Sequence, residues 1–251
     1  MTSRTTRGLI LSINDHAEAD KIVTFYSPDL GRVTSIAKGA KRSRKRFVNK
    51  LEEFSLLRII YRPPRRDTLL FLAEADLENA FLTLRRDFRR YILATLAAEL
   101  VLRFTREHDP DPAIFTLLFW ALHSLDRGDE PLRTGALFHL RLLGAVGYRP
   151  QLGHCGHCGR PVSSEVLFSL HPAGGSLICG TCRQGSGPSL APLSVQTLKF
   201  LDSAQRLDLG SVDRLRLPEK NAREAMLFLY RYSQHLLQHD IHSWQQVRNL
   251  L

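Results

Sequence analysis

The sequence predicts an α+β protein: a five-stranded β-barrel of the OB-fold kind over residues 1–78, then an all-helical domain over 79–251 with a four-cysteine zinc finger inserted at 148–190. Three observations lead there. Apolar residues recur at strand-like spacing in the first part of the chain and at helical spacing afterwards. Four cysteines form two CxxC pairs inside a glycine-rich stretch. Positive charge is concentrated ahead of both features.

Five β-prone runs are separated by turn residues: Gly8–Ile13, Lys21–Tyr26, Arg32–Lys38, Phe54–Arg62 and Thr68–Ala75. Ser27-Pro28-Asp29 with Gly31, then Gly39, then Pro63-Pro64 supply the breaks. Five short strands suit an OB-fold, and an SH3-like barrel fits the strand count nearly as well. From about residue 77 the period becomes helical, with Leu84, Phe88, Tyr91, Ile92, Leu96 and Leu100 on an apolar stripe. Asp109-Pro110-Asp111-Pro112 ends that helix and caps the next, about Ala113–Leu125. Pro131 opens a third, Leu132–Val146, from a first-turn position where proline is tolerated. Residues 147–192 are turn-rich and too poor in apolar side chains for a core of their own. Helices resume at about Leu193–Ala204, from Pro218 to Gln238, and at Trp244–Leu250.

The net charge of +10 is unevenly placed: fifteen Lys and Arg against six Asp and Glu put +9 of it in residues 1–66. Solubility alone does not require that asymmetry; a polyanionic partner for the N-terminal part explains it. The polar start and the lack of any apolar run of membrane-spanning length point to a cytoplasmic chain in a reducing compartment.

The charge peaks between the third and fourth runs. Seven of the thirteen residues 38–50 are cationic and none is acidic: Lys38, Lys41, Arg42, Arg44, Lys45, Arg46 and Lys50. Such a segment repels itself, and a phosphate backbone relieves the repulsion while releasing counterions. Phe47, within it, serves either as an anchor in the core or as a stacking platform for a base; Tyr26 and Tyr61 are further stacking candidates. Arg65-Arg66, Arg85-Arg86 and Arg89-Arg90 either extend the patch or form ordinary surface.

Cys155-x2-Cys158 and Cys179-x2-Cys182 present four thiolates with the spacing of a closed, tetrahedral zinc site. Disulfides and a redox CxxC are the competing readings; a reducing compartment opposes the first, and the lack of a βαβ pattern opposes the second. Four thiolates leave no open position for catalysis, so the Zn²⁺ is structural and orders a segment that cannot order itself. His154, His157 and His171 are expected on the surface of the knuckles. The sequence has no phosphate-loop, dinucleotide, metalloprotease, nucleophile-elbow or deaminase motif, and a non-enzymatic role follows.

The chain resembles the RecO family of bacterial DNA-repair and recombination-mediator proteins. The likeness is carried by residues 15–24 (DHAEADKIVT), 31–42 (GRVTSIAKGAKR), 51–57 (LEEFSLL) and 138–150 (FHLRLLGAVGYRP), followed by the two cysteine pairs. It implies an OB-fold followed by a helical domain with an inserted zinc finger. It also implies binding of single- and double-stranded DNA, annealing of complementary strands, and partnership with RecR and the acidic tail of single-strand-binding protein, so that RecA is loaded onto coated strands. A DNA role for Lys38, Lys41 and Arg42 comes from the resemblance; Arg44, Lys45, Arg46 and Lys50 join them on charge. An RNA-binding factor built from an OB-fold and a zinc finger, or a zinc enzyme acting on nucleic acid, remain as alternatives.

Overall fold

Every second residue of Gly31–Ala37 points inward: Val33, Ser35 and Ala37 are buried, while Arg32, Thr34 and Ile36 are half-buried. That alternation is the signature of a strand with one face on a core. It recurs through the first part of the computed structural model, which describes residues 3–63, 69–183 and 191–251. Thr68 at the start of the fifth run, the pair Arg65-Arg66 and the end of the proposed insertion (184–190) lie outside the described residues. The chain forms two compact units, Met1–Ala94 with Ala98–Gly128, and Thr95–Ala97 with Asp129–Leu251.

The first unit holds five strands: β1 (Arg4–His16), β2 (Asp20–Ser27), β3 (Gly31–Ala37), β4 (Leu56–Arg62) and β5 (Leu70–Asn79). β1 is long enough to serve two neighbours. It pairs antiparallel with β2 from Leu9 onward and with β4 over Arg4–Leu9, and a register shift between Ile10 and Ser12 marks the bend. β4 pairs antiparallel with β5, and β5 closes the barrel on β3 through a parallel pairing, Ser35 opposite Leu70 and Ile36 opposite Phe71. The closed order β1-β2-β3-β5-β4 is that of an OB-fold, so strand order decides against the SH3-like alternative that strand count left open. Ile10, Val23, Phe25, Val33, Ile59 and Leu72 fill the interior. Burying a side chain such as Phe25 contributes about 1.5–3 kcal/mol.

After the barrel come α1 (Leu82–Arg86), α2 (Phe88–Phe104) and α3 (Pro112–Arg127). β5 runs past the point where the helical period was expected, and what reads as one helix is two. Asp87 ends α1 and caps α2, its carboxylate accepting from the Arg90 N–H at 3.1 Å. Asp111 caps α3 in the expected way, accepting from Ala113 N–H at 2.8 Å, with Pro112 in the first turn. The end of α2 and the loop before α3 are clamped onto the barrel. Arg32 donates to Leu102 O at 2.7 Å, and His108 N–H donates to Arg32 O at 3.0 Å. Gly31 sits at φ +70°, where a Cβ would lie 2.4 Å from Asp109 O, so the backbone approach requires glycine.

The second unit contains α4 (Pro131–Ala145), α5 (Val195–Arg206), α6 (Leu209–Val212), α7 (Glu219–Leu237) and α8 (Trp244–Arg248). Glu130 caps α4 through the N–H groups of Leu132 and Arg133, and Ser194 caps α5 through Thr197 N–H. Between α4 and α5 the chain forms a three-stranded sheet of β6 (Gln151–Cys155), β7 (Phe168–His171) and β8 (Ser176–Cys179), in the order β6-β8-β7. The stretch, read from the sequence as turn-rich, thus carries a small sheet, and its Leu152, Phe168, Leu170, Leu177 and Ile178 are all buried. Among the described residues no helix is long and apolar enough to cross a membrane.

Candidate nucleic-acid interface and metal centre

The basic segment is the connection between β3 and β4. Gly39, at φ +69°, turns the chain into one turn of 3-10 helix, Ala40–Arg42. The near end is tied to the β1–β2 turn: Gly39 N–H donates to Asp20 Oδ1 at 2.8 Å and Lys41 N–H to Ala19 O at 2.9 Å. The far end is fixed by burial of Phe47 and Leu51 in the barrel core. Phe47 is therefore an anchor. Tyr26 and Tyr61, offered as stacking candidates, are also buried and cannot stack on a base. The Tyr26 hydroxyl instead receives Asp111 N–H at 3.2 Å and donates to Asp111 O at 3.4 Å, and burial pushes its ionisation up to about 12.

The seven cations of the connection fall into three groups. Arg46 is committed to the fold: it donates to Ala73 O at 3.2 Å and to Lys38 O at 3.1 Å, and its guanidinium lies 5.0 Å from the centre of the Phe47 ring. Lys41, Arg42 and Lys50 are paired with carboxylates, Lys41 with Asp15 at 3.1 Å, Arg42 with Glu18 at 3.5 Å and Lys50 with Asp76 at 3.2 Å. Lys38, Arg44 and Lys45 are exposed and make no ion pair among the described residues. Ion pairs in contact with water are each worth about 0–1 kcal/mol, so an incoming phosphate can exchange with the carboxylates of the second group. The sequence reading missed Asp15, Glu18 and Asp76 as counter-ions. The β1–β2 hairpin and the return of β5 bring them to the basic segment, and only the acidic character of the 15–20 turn signals it in advance.

The cysteines are delivered by the small sheet. Cys155 ends β6 and Cys179 ends β8, and both are buried; Cys158 and Cys182 follow in tight turns, exposed and half-buried. The turns are closed by Gly159 N–H to Cys155 O at 2.9 Å and Cys182 N–H to Cys179 O at 3.0 Å. Gly156 and Gly180 dock the knuckles by donating to Leu177 O at 2.8 Å and Leu167 O at 2.9 Å. A Cβ on Gly156 would lie 2.7 Å from Ser176 Oγ. All four sulfurs fall within 4.8 Å of one another, none in a disulfide. Cys158 Sγ and Cys179 Sγ are 3.8 Å apart, the separation of about 3.8 Å that tetrahedral Zn–S bonds of about 2.3 Å require.

Protonation in the cluster is uneven. Burial acts to raise the Cys179 thiol, but the Cys182 N–H, the Thr181 hydroxyl and the neighbouring thiols outweigh it and bring it down to about 6. Cys155 is lowered in the same way, against its burial, by the Cys158, Cys179 and His157 N–H groups and by the Cys158 thiol. Cys182, hydrogen-bonded to Cys158 and Cys179, is pushed up to about 12. Four soft donors in this arrangement could hold a divalent metal ion with no position left open for substrate. His154 and His157 are exposed, as expected; half-buried His171 instead caps the 3-10 turn Pro172–Gly174, its Nδ1 accepting Gly174 N–H at 3.3 Å.

Family models match both parts of the chain. The family model described as Recombination protein O N terminal matches residues 1–81, and that described as Recombination protein O C terminal matches residues 85–245. The chain is 32% identical over 239 residues to the DNA repair protein RecO of Syntrophus aciditrophicus (strain SB), which covers 95% of this chain and 92% of that one. It is 36% identical over 216 residues to the protein of that name from Syntrophobacter fumaroxidans (strain DSM 10017 / MPOB), covering 86% and 85%. With the protein of that name from Geobacter metallireducens (strain ATCC 53774 / DSM 7210 / GS-15) it shares 37% identity over 198 residues, covering 77% and 79%.

Proposed function

The chain belongs to the recombination protein O family, and on that premise we propose that it is a non-enzymatic, DNA-binding recombination mediator acting in cytoplasmic DNA repair. The observation that carries the reading is the set of exposed cations Lys38, Arg44 and Lys45, without an ion pair among the described residues, on a segment anchored in a closed OB-fold barrel. These three meet phosphate first. Lys41, Arg42 and Lys50 follow by exchanging carboxylate for phosphate, while Arg46 and Phe47 hold the segment in place. Neutralising two backbones in turn brings complementary strands together and anneals them. Single- and double-stranded DNA both offer the required charge.

One Zn²⁺ held by Cys155, Cys158, Cys179 and Cys182 keeps the β6-β8-β7 sheet folded and takes no part in a chemical step. By the family's character, RecR and the acidic tail of single-strand-binding protein are the proposed protein partners, with RecA loading as the outcome. The test is competition between DNA and RNA oligomers of one sequence, alongside strand annealing. Equal or better binding of DNA, with faster annealing than in buffer, supports the reading. A strong preference for RNA would assign the barrel to a reader of the 2′-hydroxyl instead.

A further inference from the structure

An aromatic side chain at the barrel-to-helix junction stands in solvent. Phe88, expected on the buried stripe of α2, is 71% exposed. A large apolar ring left in water is informative when its neighbours share one chemistry, and here they do. Residues 85–90 read Arg-Arg-Asp-Phe-Arg-Arg. The one acid, Asp87, is occupied: it caps α2 through Arg90 N–H and faces the Arg90 side chain at 3.6 Å. Arg85 is turned inward, donating to Ser55 Oγ at 3.0 Å and to Ala80 O at 2.6 Å. Arg86 and Arg89 are exposed on either side of Phe88 in the chain.

We propose that Phe88, with Arg86 and Arg89, is a second contact for single-stranded nucleic acid, in which the ring stacks on a base and the two guanidinium groups take the flanking phosphates. The chemistry matches a strand: an aromatic face accepts any base, and the local charge is positive. The patch also lies beside the end of the basic connection. Arg85 reaches the end of that connection at Ser55, and the ring of Tyr91, one turn into α2, meets Phe54 edge-on at 5.3 Å. The Tyr91 hydroxyl there is hydrogen-bonded to the carboxylate of Glu53, with Glu52 close by, so the contact at Phe88 is a separate one beyond this acidic pair. This inference rests on the nucleic-acid reading of the connection.

The test uses the full-length protein, a fluorescent thymidine oligomer and an abasic oligomer of the same length. Phe88→Ala is expected to weaken thymidine-oligomer binding about tenfold, leave abasic-oligomer binding and the thermal midpoint unchanged, and be rescued by Phe88→Trp but not Phe88→Leu. Unchanged binding of the thymidine oligomer, or equal loss with the abasic one, would overturn it. So would a Phe88→Ala variant that binds DNA normally but loses an acidic, apolar peptide, since the patch would then dock protein. Reversing Lys38, Arg44 and Lys45 in parallel separates the two readings. If that variant loses DNA and Phe88→Ala does not, only the second contact fails; if neither changes binding, the nucleic-acid reading itself fails.

Discussion

The ammonium group of Lys41 lies 3.1 Å from the carboxylate of Asp15, so a cation expected to reach for phosphate is already held by the β1–β2 turn. The carboxylate is well exposed and the pair is weak, which makes Asp15 a competitor of the ligand rather than a strut. Asp15→Asn is expected to raise single-strand affinity about threefold and to steepen the dependence of log K on log[salt] by about 0.7. Thermal unfolding should change little. Fluorescence anisotropy over a salt series measures the first two; lower affinity in the variant would show that Asp15 shapes the site.

Phe47 separates anchoring from stacking. As a core residue it tolerates replacement by another apolar side chain of similar bulk, which a stacking platform does not. Phe47→Leu should keep DNA affinity within about twofold and destabilise by less than about 1.5 kcal/mol. Phe47→Ala should cost about 3 kcal/mol or more and release the basic segment, with loss of affinity. Urea unfolding and binding measured on both variants check this.

The metal centre makes its own prediction. The purified protein should contain one zinc per chain. Stripping it with a chelator should abolish hydrogen-exchange protection at the Gly156 and Gly180 amides, whose carbonyl partners are Leu177 and Leu167. Barrel amides such as Val23 and Val33 should stay protected. Retained protection in the knuckles after zinc loss would mean the sheet folds without metal.

His139 on α4 gives the second unit an acid-sensitive core. It is fully buried, with Nε2 2.6 Å from Ser233 Oγ and no partner at Nδ1 among the described residues, and burial lowers its protonation to about pH 3. The unfolded chain protonates this imidazole near pH 6.5 and the folded chain does not. The associated stability is therefore complete above pH 6.5 and is lost as pH falls toward 3, at about 1.4 kcal/mol per pH unit. Urea unfolding at pH 6.5 and pH 5 should differ by about 2 kcal/mol more in the wild type than in His139→Gln. Equal pH dependence would place the proton elsewhere.

How far the sequence could be read depended on whether the signal was local. The cysteine quartet was legible because ligand spacing is written along the chain, and the strands were legible because Val33, Ser35 and Ala37 alternate with half-exposed neighbours. The parallel closure of β3 on β5 was not, since Ser35 and Leu70 meet only once the barrel forms. The β6-β8-β7 sheet was missed because its strands span four or five residues between glycines and prolines, too short for a period. The basic segment announced itself by composition. Which cations were free did not: Arg46 and Lys45 are adjacent and chemically alike, yet the fold spends one on carbonyl oxygens and leaves the other in solvent.

That division of the cations is the account's central claim, and the salt dependence of single-strand binding tests it most directly. Reversing Lys38, Arg44 and Lys45 together should weaken binding and make the slope of log K against log[salt] shallower by about 2, since each phosphate contact on a single strand contributes about 0.7. An unchanged slope in a folded, zinc-loaded variant would contradict it, and would move the nucleic-acid surface away from the β3–β4 connection.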